Sequence, residues 1–202
     1  MQAVATELDC GVMSIYSHYS GKEALIQALA GQVMRDLHHQ LPPAGDGPWR
    51  QELLSYFTAY REAIESLTAY REISLNAPTY ILRESLTGAQ LRRVESGVGL
   101  LMRAGLTLEE AARGYNALFN YTRCFVALEH AQRSLDEEGP ARRDPAPADV
   151  AELPLLQQLG DVNALLRLDE DTFAYGLGLL IDGVAAVSGP AASSRRSSGA
   201  QD

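Results

Sequence analysis

The side chains of this 202-residue chain with the chemistry to react, ligate or recognise include four histidines, two cysteines and nine tyrosines. Their spacing argues against turnover. His38 and His39 are neighbours, and neighbours on a helix point about 100° apart, so one metal ion cannot readily take both. His130 stands beside Glu129 with no further ligand near it in sequence. Gly97-Val98-Gly99 and Gly176-Leu177-Gly178 follow no strand pattern and lack a third glycine, which makes them helix-packing glycines rather than a dinucleotide fingerprint. No serine sits on a nucleophile elbow. The reading is of a protein that is not an enzyme and has no catalytic residue, metal site or cofactor. Cys10 and Cys124 form no CxxC pair and no disulfide framework, which suits a reducing cytoplasm.

Recognition is the better-supported chemistry. Between Gly114 and Leu128 the only charged residue is Arg123, and Asn116 and Asn120 share its helix. A polar group on so apolar a helix needs a partner. That partner is either a small-molecule ligand, or another of these side chains or a dimer mate.

The elements that must carry these residues all read as helices. Ser20-Gly21-Lys22-Glu23 has the form of a capping box, and Leu25, Ala28, Leu29, Val33 and Leu37 then keep helical spacing up to Pro42-Pro43. Residues 41–48, with three prolines and two glycines, read as a linker. Trp49 opens a second amphipathic helix through Leu53, Tyr56, Phe57, Tyr60 and Ile64. It should break near Ser66-Leu67-Thr68 and resume to about Asn76, ahead of Pro78. Thr87-Gly88-Ala89-Gln90 and Thr107-Leu108-Glu109-Glu110 are two more capping boxes, and Gly105 between them is the expected C′ glycine of a tight corner. Residues 136–154 read as a loop, 155–168 as a short amphipathic stretch and 189–202 as a disordered tail.

The helix from Thr107 and the last helix, residues 172–187, are apolar nearly all round, with Asp182 the only charge in the second. Two such helices are hard to bury within one chain. Pairing them with symmetry mates in a four-helix bundle solves the problem, so a homodimer is predicted. Residues 172–187 fall short of the ~20 apolar residues a membrane span needs, and the N-terminus lacks the pattern of a signal peptide, so no membrane partner is expected. A hydrophobic share of 46% and a charged share of 21% are ordinary globular values. The net charge of −9 excludes a protein that grips nucleic acid over its whole surface, but not one with a small reading element.

Such an element stands at the front. Val4-Ala5-Thr6-Glu7-Leu8 reads as a short helix, Asp9-Cys10-Gly11 as a turn, and Val12 to His18 as a second short helix. Val12, Ile15 and Tyr16 can pack back while Met13, Ser14 and Ser17 face out, the arrangement of a helix-turn-helix unit whose second helix enters the major groove.

The run AVATELDCGVMSIYSHYSGKEALIQALA resembles the helix-turn-helix and following helix of the tetracycline-repressor family, most specifically from Ile15 to Leu25. Trp49, the corner from Ala104 to Ala111, and Ala127-Leu128-Glu129 are similar to the tetracycline-repressor branch itself. The resemblance implies an all-α, cytoplasmic, homodimeric repressor that a small-molecule inducer releases from operator DNA. Its domains would be a partial helix-turn-helix domain (1–41) and a ligand-binding and dimerisation domain (49–188). By position, Val12, Met13, Ser14, Tyr16, Ser17 and His18 would face DNA, with Tyr16 also partly core and His18 alternatively capping its helix. Lys22 matches a phosphate-contacting lysine at a helix N-terminus. His38, Tyr56 and Tyr60 match ligand-lining positions. Asn116, Asn120 and Arg123 join them as candidates, and Glu129 resembles a pocket residue contributed across the dimer.

Family members carry a basic helix ahead of this motif, and the chain begins inside the second helix. Its first 41 residues hold Lys22 and Arg35 against Glu7, Asp9, Glu23 and Asp36, a poor match to phosphates. The expectation is therefore a reading frame that starts upstream of Met1. The alternative is a dimeric helical ligand-binding protein without DNA-binding activity.

Overall fold

The computed structural model describes residues 1–76, 78–83, 88–138 and 152–188. In chain order these form α1 (Gln2–Glu7), α2 (Val12–His18), α3 (Lys22–Gln40), α4 (Trp49–Ser66), α5 (Thr68–Asn76), α6 (Pro78–Arg83), α7 (Gly88–Arg103), α8 (Leu108–Glu138), α9 (Pro154–Leu159), a 3-10 turn (Val162–Leu166) and α10 (Glu170–Ser188). No strand occurs among the described residues, so the all-α expectation is met.

Local chemistry explains most of the boundaries. The turn between α1 and α2 places Asp9 in the left-handed region, φ 48°, where a short polar side chain is tolerated. Leu67, at φ −97° and ψ 86°, divides α4 from α5 at the expected break. Gly105 takes φ 98° after α7, and its amide bonds the Met102 carbonyl at 2.9 Å. Directly after it the Thr107 box closes: Glu110 Oε2 accepts from the Thr107 amide at 2.9 Å, and Thr107 Oγ1 accepts from the Glu110 amide at 3.4 Å.

Two expectations are corrected and three fall, wholly or in part, outside the described residues. The box at Ser20 does not form, because Gly21 takes the cap position with no side-chain cap. Glu23 then stands one residue too early to reach back. The helix from Thr107 runs on to Glu138, past the expected loop start at Asp136. Thr87, the remainder of that loop (139–151) and the tail (189–202) lie outside the described residues.

The core gathers on α8, which packs against α4, α5, α7 and α10, while α3 lies on α4 to α7. Phe57, Leu37, Leu53, Leu101, Ala111, Val126 and Ile181 are fully buried there. Two glycines allow close approach: a Cβ on Gly97 would strike the Tyr115 ring, and one on Gly176 would strike Tyr121. The opposite flank of α8 is open. Ala117, Asn120, Cys124 and Leu128, at three- and four-residue steps, are exposed. Beside them α10 exposes Tyr175 (71%) and Leu179 (55%). Among the described residues no helix is long and apolar enough to cross a membrane.

One ion pair crosses the core. Arg61 of α4 donates from Nη2 to both carboxylate oxygens of Glu129 on α8, at 2.9 and 3.1 Å, and its guanidinium lies 5.2 Å from the Phe173 ring centroid of α10. Both partners are buried. Glu129→Ala, which leaves Arg61 with only the Glu65 carboxylate at 3.6 Å, should lower the unfolding free energy by about 3 kcal/mol in urea melts. The double variant Arg61→Met/Glu129→Leu should recover most of that loss, since no lone charge remains. Equal losses in both would show that packing, not the unpaired charge, carries the effect.

Candidate nucleic-acid interface and buried ligand site

Two groups of candidate residues stand at the two ends of α3. At its N-terminal end is the α1–α2 pair, held together by Ala5 and Ile15, its two buried hydrophobic residues. Ile15 packs inward as expected, and Val12 is half-buried. Tyr16 does not pack back; it is exposed, as are Met13, Ser14, Ser17 and His18. The reason is geometric, because a seven-residue helix resting on a six-residue one can bury only a single row. Ser17 Oγ donates to the Ser14 carbonyl at 2.7 Å. Lys22 is exposed on the first residue of α3, where unpaired backbone amides and the positive end of the helix add to its charge. Short side chains therefore cover one exposed face, with a cation beside it.

The second group is buried. His38, near the C-terminal end of α3, is 4% exposed, and neither ring nitrogen has a hydrogen-bond partner. Burial, reinforced by the nearby Arg93 guanidinium, pulls its pKa down to about 4, so the imidazole is neutral at pH 7. Tyr56 and Tyr60 of α4 face the same region. The Tyr56 hydroxyl meets that of Tyr115 at 3.4 Å, while the buried Tyr60 and Tyr70 hydroxyls lie near one another with no other partner. Loss of solvent raises the pKa of Tyr56, Tyr60 and Tyr115 and keeps their hydroxyls protonated as donors. An aromatic wall backs them: Tyr60 and Tyr115 stack on Phe119 at 5.2 and 5.9 Å, with interplanar angles of 27° and 23°.

The candidates on α8 divide. Arg123 is half-buried with its guanidinium 5.2 Å from the Phe119 ring centroid, and its charge is felt at Tyr60. Asn116 and Asn120 are not in this group. Both are exposed on the outer flank of α8, and Asn120 Nδ2 donates to Asn116 Oδ1 at 3.0 Å, so the pair satisfies itself. Their places four residues apart put them on the face that turns away from α4. Glu129 also departs from expectation: its carboxylate is taken by Arg61 of the same chain.

Arg61, Tyr70, Arg93 and Tyr115 were not singled out in the sequence. Arg61 had a signal, since it continues the Leu53–Phe57 row at four-residue spacing and so had to fall on the buried side of α4. Arg93 had none, being one of two adjacent arginines on an amphipathic helix. Among the described residues no cluster of three His, Cys, Asp or Glu could hold a metal ion.

The comparisons with known proteins agree with this architecture. Residues 41–188 match the family model described as "Tetracyclin repressor-like, C-terminal domain". An HTH-type transcriptional repressor of Mycobacterium tuberculosis is 27% identical over 186 residues, covering 90% of this chain and 70% of the relative. The class A tetracycline repressor protein from transposon 1721 of Escherichia coli is 27% identical over 175 residues, covering 85% of this chain and 74% of that protein. In fold, the chain is similar to apo ActR of Streptomyces coelicolor, with a TM-score of 0.66 and 22% identity over 94% of this chain and 86% of that one. With its family model spanning most of its length and every described element helical, the chain belongs to the tetracycline-repressor family of transcriptional regulators, proteins that regulate rather than catalyse.

Proposed function

We propose that this chain is a ligand-responsive repressor that binds operator DNA as a homodimer through α2 and is released by a small molecule bound around His38, Tyr56, Tyr60 and Arg123. The observation that carries the reading is α3. A single helix of 19 residues, roughly 28 Å long, has Lys22 at its first residue and buried His38 in its last turn. A ligand that repositions His38 therefore shifts one rigid rod whose far end bears the reading helix. The inner end is tied into the sensing region, because α3 packs on α4, α5, α6 and α7. On DNA, Met13, Ser14 and Ser17 approach base edges, and Lys22 contacts a phosphate, with Val12, Tyr16 and His18 beside them. Such a regulator works in the cytoplasm, where its DNA is.

The relatives' printed names support repression: two are called transcriptional repressors or repressor proteins, and ActR has been solved in complex with actinorhodin. The alternative, a ligand-binding dimer without DNA-binding activity, is not favoured, because it leaves the exposed short side chains of α2 unexplained. The homodimer rests on the apolar rows of α8 and α10, which have no cover among the described residues. Covering them gives two reading helices of fixed separation, as a two-fold operator requires.

Gel shifts with the DNA flanking the chain's own gene test the repressor reading. Lys22→Ala should weaken binding by a similar factor on every sequence and lower the salt slope by about one. Ser14→Ala should instead change the preferred base at one position of each half-site. A chain that retards no DNA at low salt, or all DNA alike, sinks the proposal.

The dimer is tested by sedimentation. Leu128→Glu with Leu179→Glu should convert a dimer at micromolar concentration to a folded monomer, since four carboxylates would meet across an apolar seam. A wild-type chain that sediments as a monomer contradicts the assignment of that face.

A further inference from the structure

The polar atoms left over in the core have a charge as well as a place. His38, Tyr60 and Tyr70 are each at least nine-tenths buried; neither ring nitrogen of His38 has a partner, and the two tyrosine hydroxyls have at most one another. Arg93 Nη1 and Arg123 Nε are buried and unpaired as well. Neither arginine forms an ion pair among the described residues, whereas Arg61, on the same α4 side of the core, has both oxygens of Glu129. Arg93 lies near enough to His38 and Tyr56 to bias both, and Arg123 does the same to Tyr60. The tyrosine row of α4 thus runs between two cations that no carboxylate among the described residues pairs with. Each arginine is half-buried with one nitrogen withdrawn from water, and a buried N–H of a charged group without an acceptor is costly.

Resting on the reading of this region as the ligand site, we propose that its ligand is a planar aromatic anion, a ring carboxylate or acidic phenol. Its ring lies along the Tyr60–Phe119–Tyr115 stack, and its negative group takes Arg93. The flat wall selects the ring, because near-parallel aromatic faces reward a further flat surface. Arg93 selects the charge, since a guanidinium donates two parallel N–H bonds that fit a carboxylate. Neutral His38 and the Tyr60 and Tyr70 hydroxyls offer directional bonds to ring oxygens without competing for the anion. The same inventory disfavours a ligand cation, which would meet two uncompensated arginines.

The test is isothermal titration of the full-length chain with 1-hydroxy-2-naphthoate and with its methyl ester, which keeps the ring and loses the charge. The acid should bind about tenfold or more tightly than the ester. Arg93→Gln should bring the two within about threefold by weakening the acid alone, and Arg93→Lys should restore part of the preference. Circular dichroism melts of both variants confirm that they fold. Ester binding equal to or better than acid binding overturns the proposal, as does binding of neither, or an acid preference that Arg93→Gln leaves intact. A gel shift with the chain's own flanking DNA, run with each compound, separates this from the repressor reading. Acid that binds without releasing DNA leaves the ligand class standing and removes the regulatory role. Release by the ester alone does the reverse.

Discussion

Helix α8 imposes the constraint on which the rest of the molecule depends. It is 31 residues long, and from Gly114 to Leu128 it has a single charged side chain, so it cannot have a conventional wet face. One flank is buried against α4, α5, α7 and α10. That flank holds Tyr115, Leu118, Thr122, Phe125, Val126 and Glu129. The other is a row of small and apolar residues with an Asn116–Asn120 pair that bonds to itself. Helices α4, α5, α7 and α10 are placed by the first flank, and the proposed oligomer follows from the second.

The buried flank is not uniformly apolar, and its polar residues are of two kinds. Arg61 and Glu129 answer one another and tie three helices together, with Phe173 beneath the guanidinium. The other set includes both ring nitrogens of His38 and Nη1 of Arg93, which have no hydrogen-bond partner, and the Tyr60 and Tyr70 hydroxyls, which have at most one another. A folded core tolerates few such atoms unless something outside the chain satisfies them. The contrast within one small core separates a structural ion pair from the region proposed as a ligand site. Under that proposal, occupancy there would reach α2 through α3, which begins beside it.

Much of the fold was legible because helix signals are local. The Leu67 break and Gly105 stand where turn chemistry put them, and the Thr107 box closes as read. The failures were local too: Gly21 took the cap position from Ser20 and shifted the start of α3 by one residue. Among site residues, those of α2 were readable because exposure follows from period and from the shortness of two helices. For Asn116 and Asn120 the sequence left a ligand, one another or a dimer mate as partners, and the structure has them bond one another on the exposed flank of α8. Arg93 was not legible at all, since an arginine on an amphipathic helix looks solvated until its neighbours are known.

The sequence by itself determined the helical class, the positions of most breaks, the short reading unit and the presence of two helices too apolar for one chain. These depend on caps, glycines, prolines and periodicity, all of which act within a few residues. Only the tertiary structure decided which polar side chains share a region and which of them find partners. It pairs Arg61 with Glu129 across 68 positions and brings Arg93 beside His38. Spacing along the chain carries no information about such distances, because the desolvation that makes a lone arginine significant exists only once distant helices have closed around it.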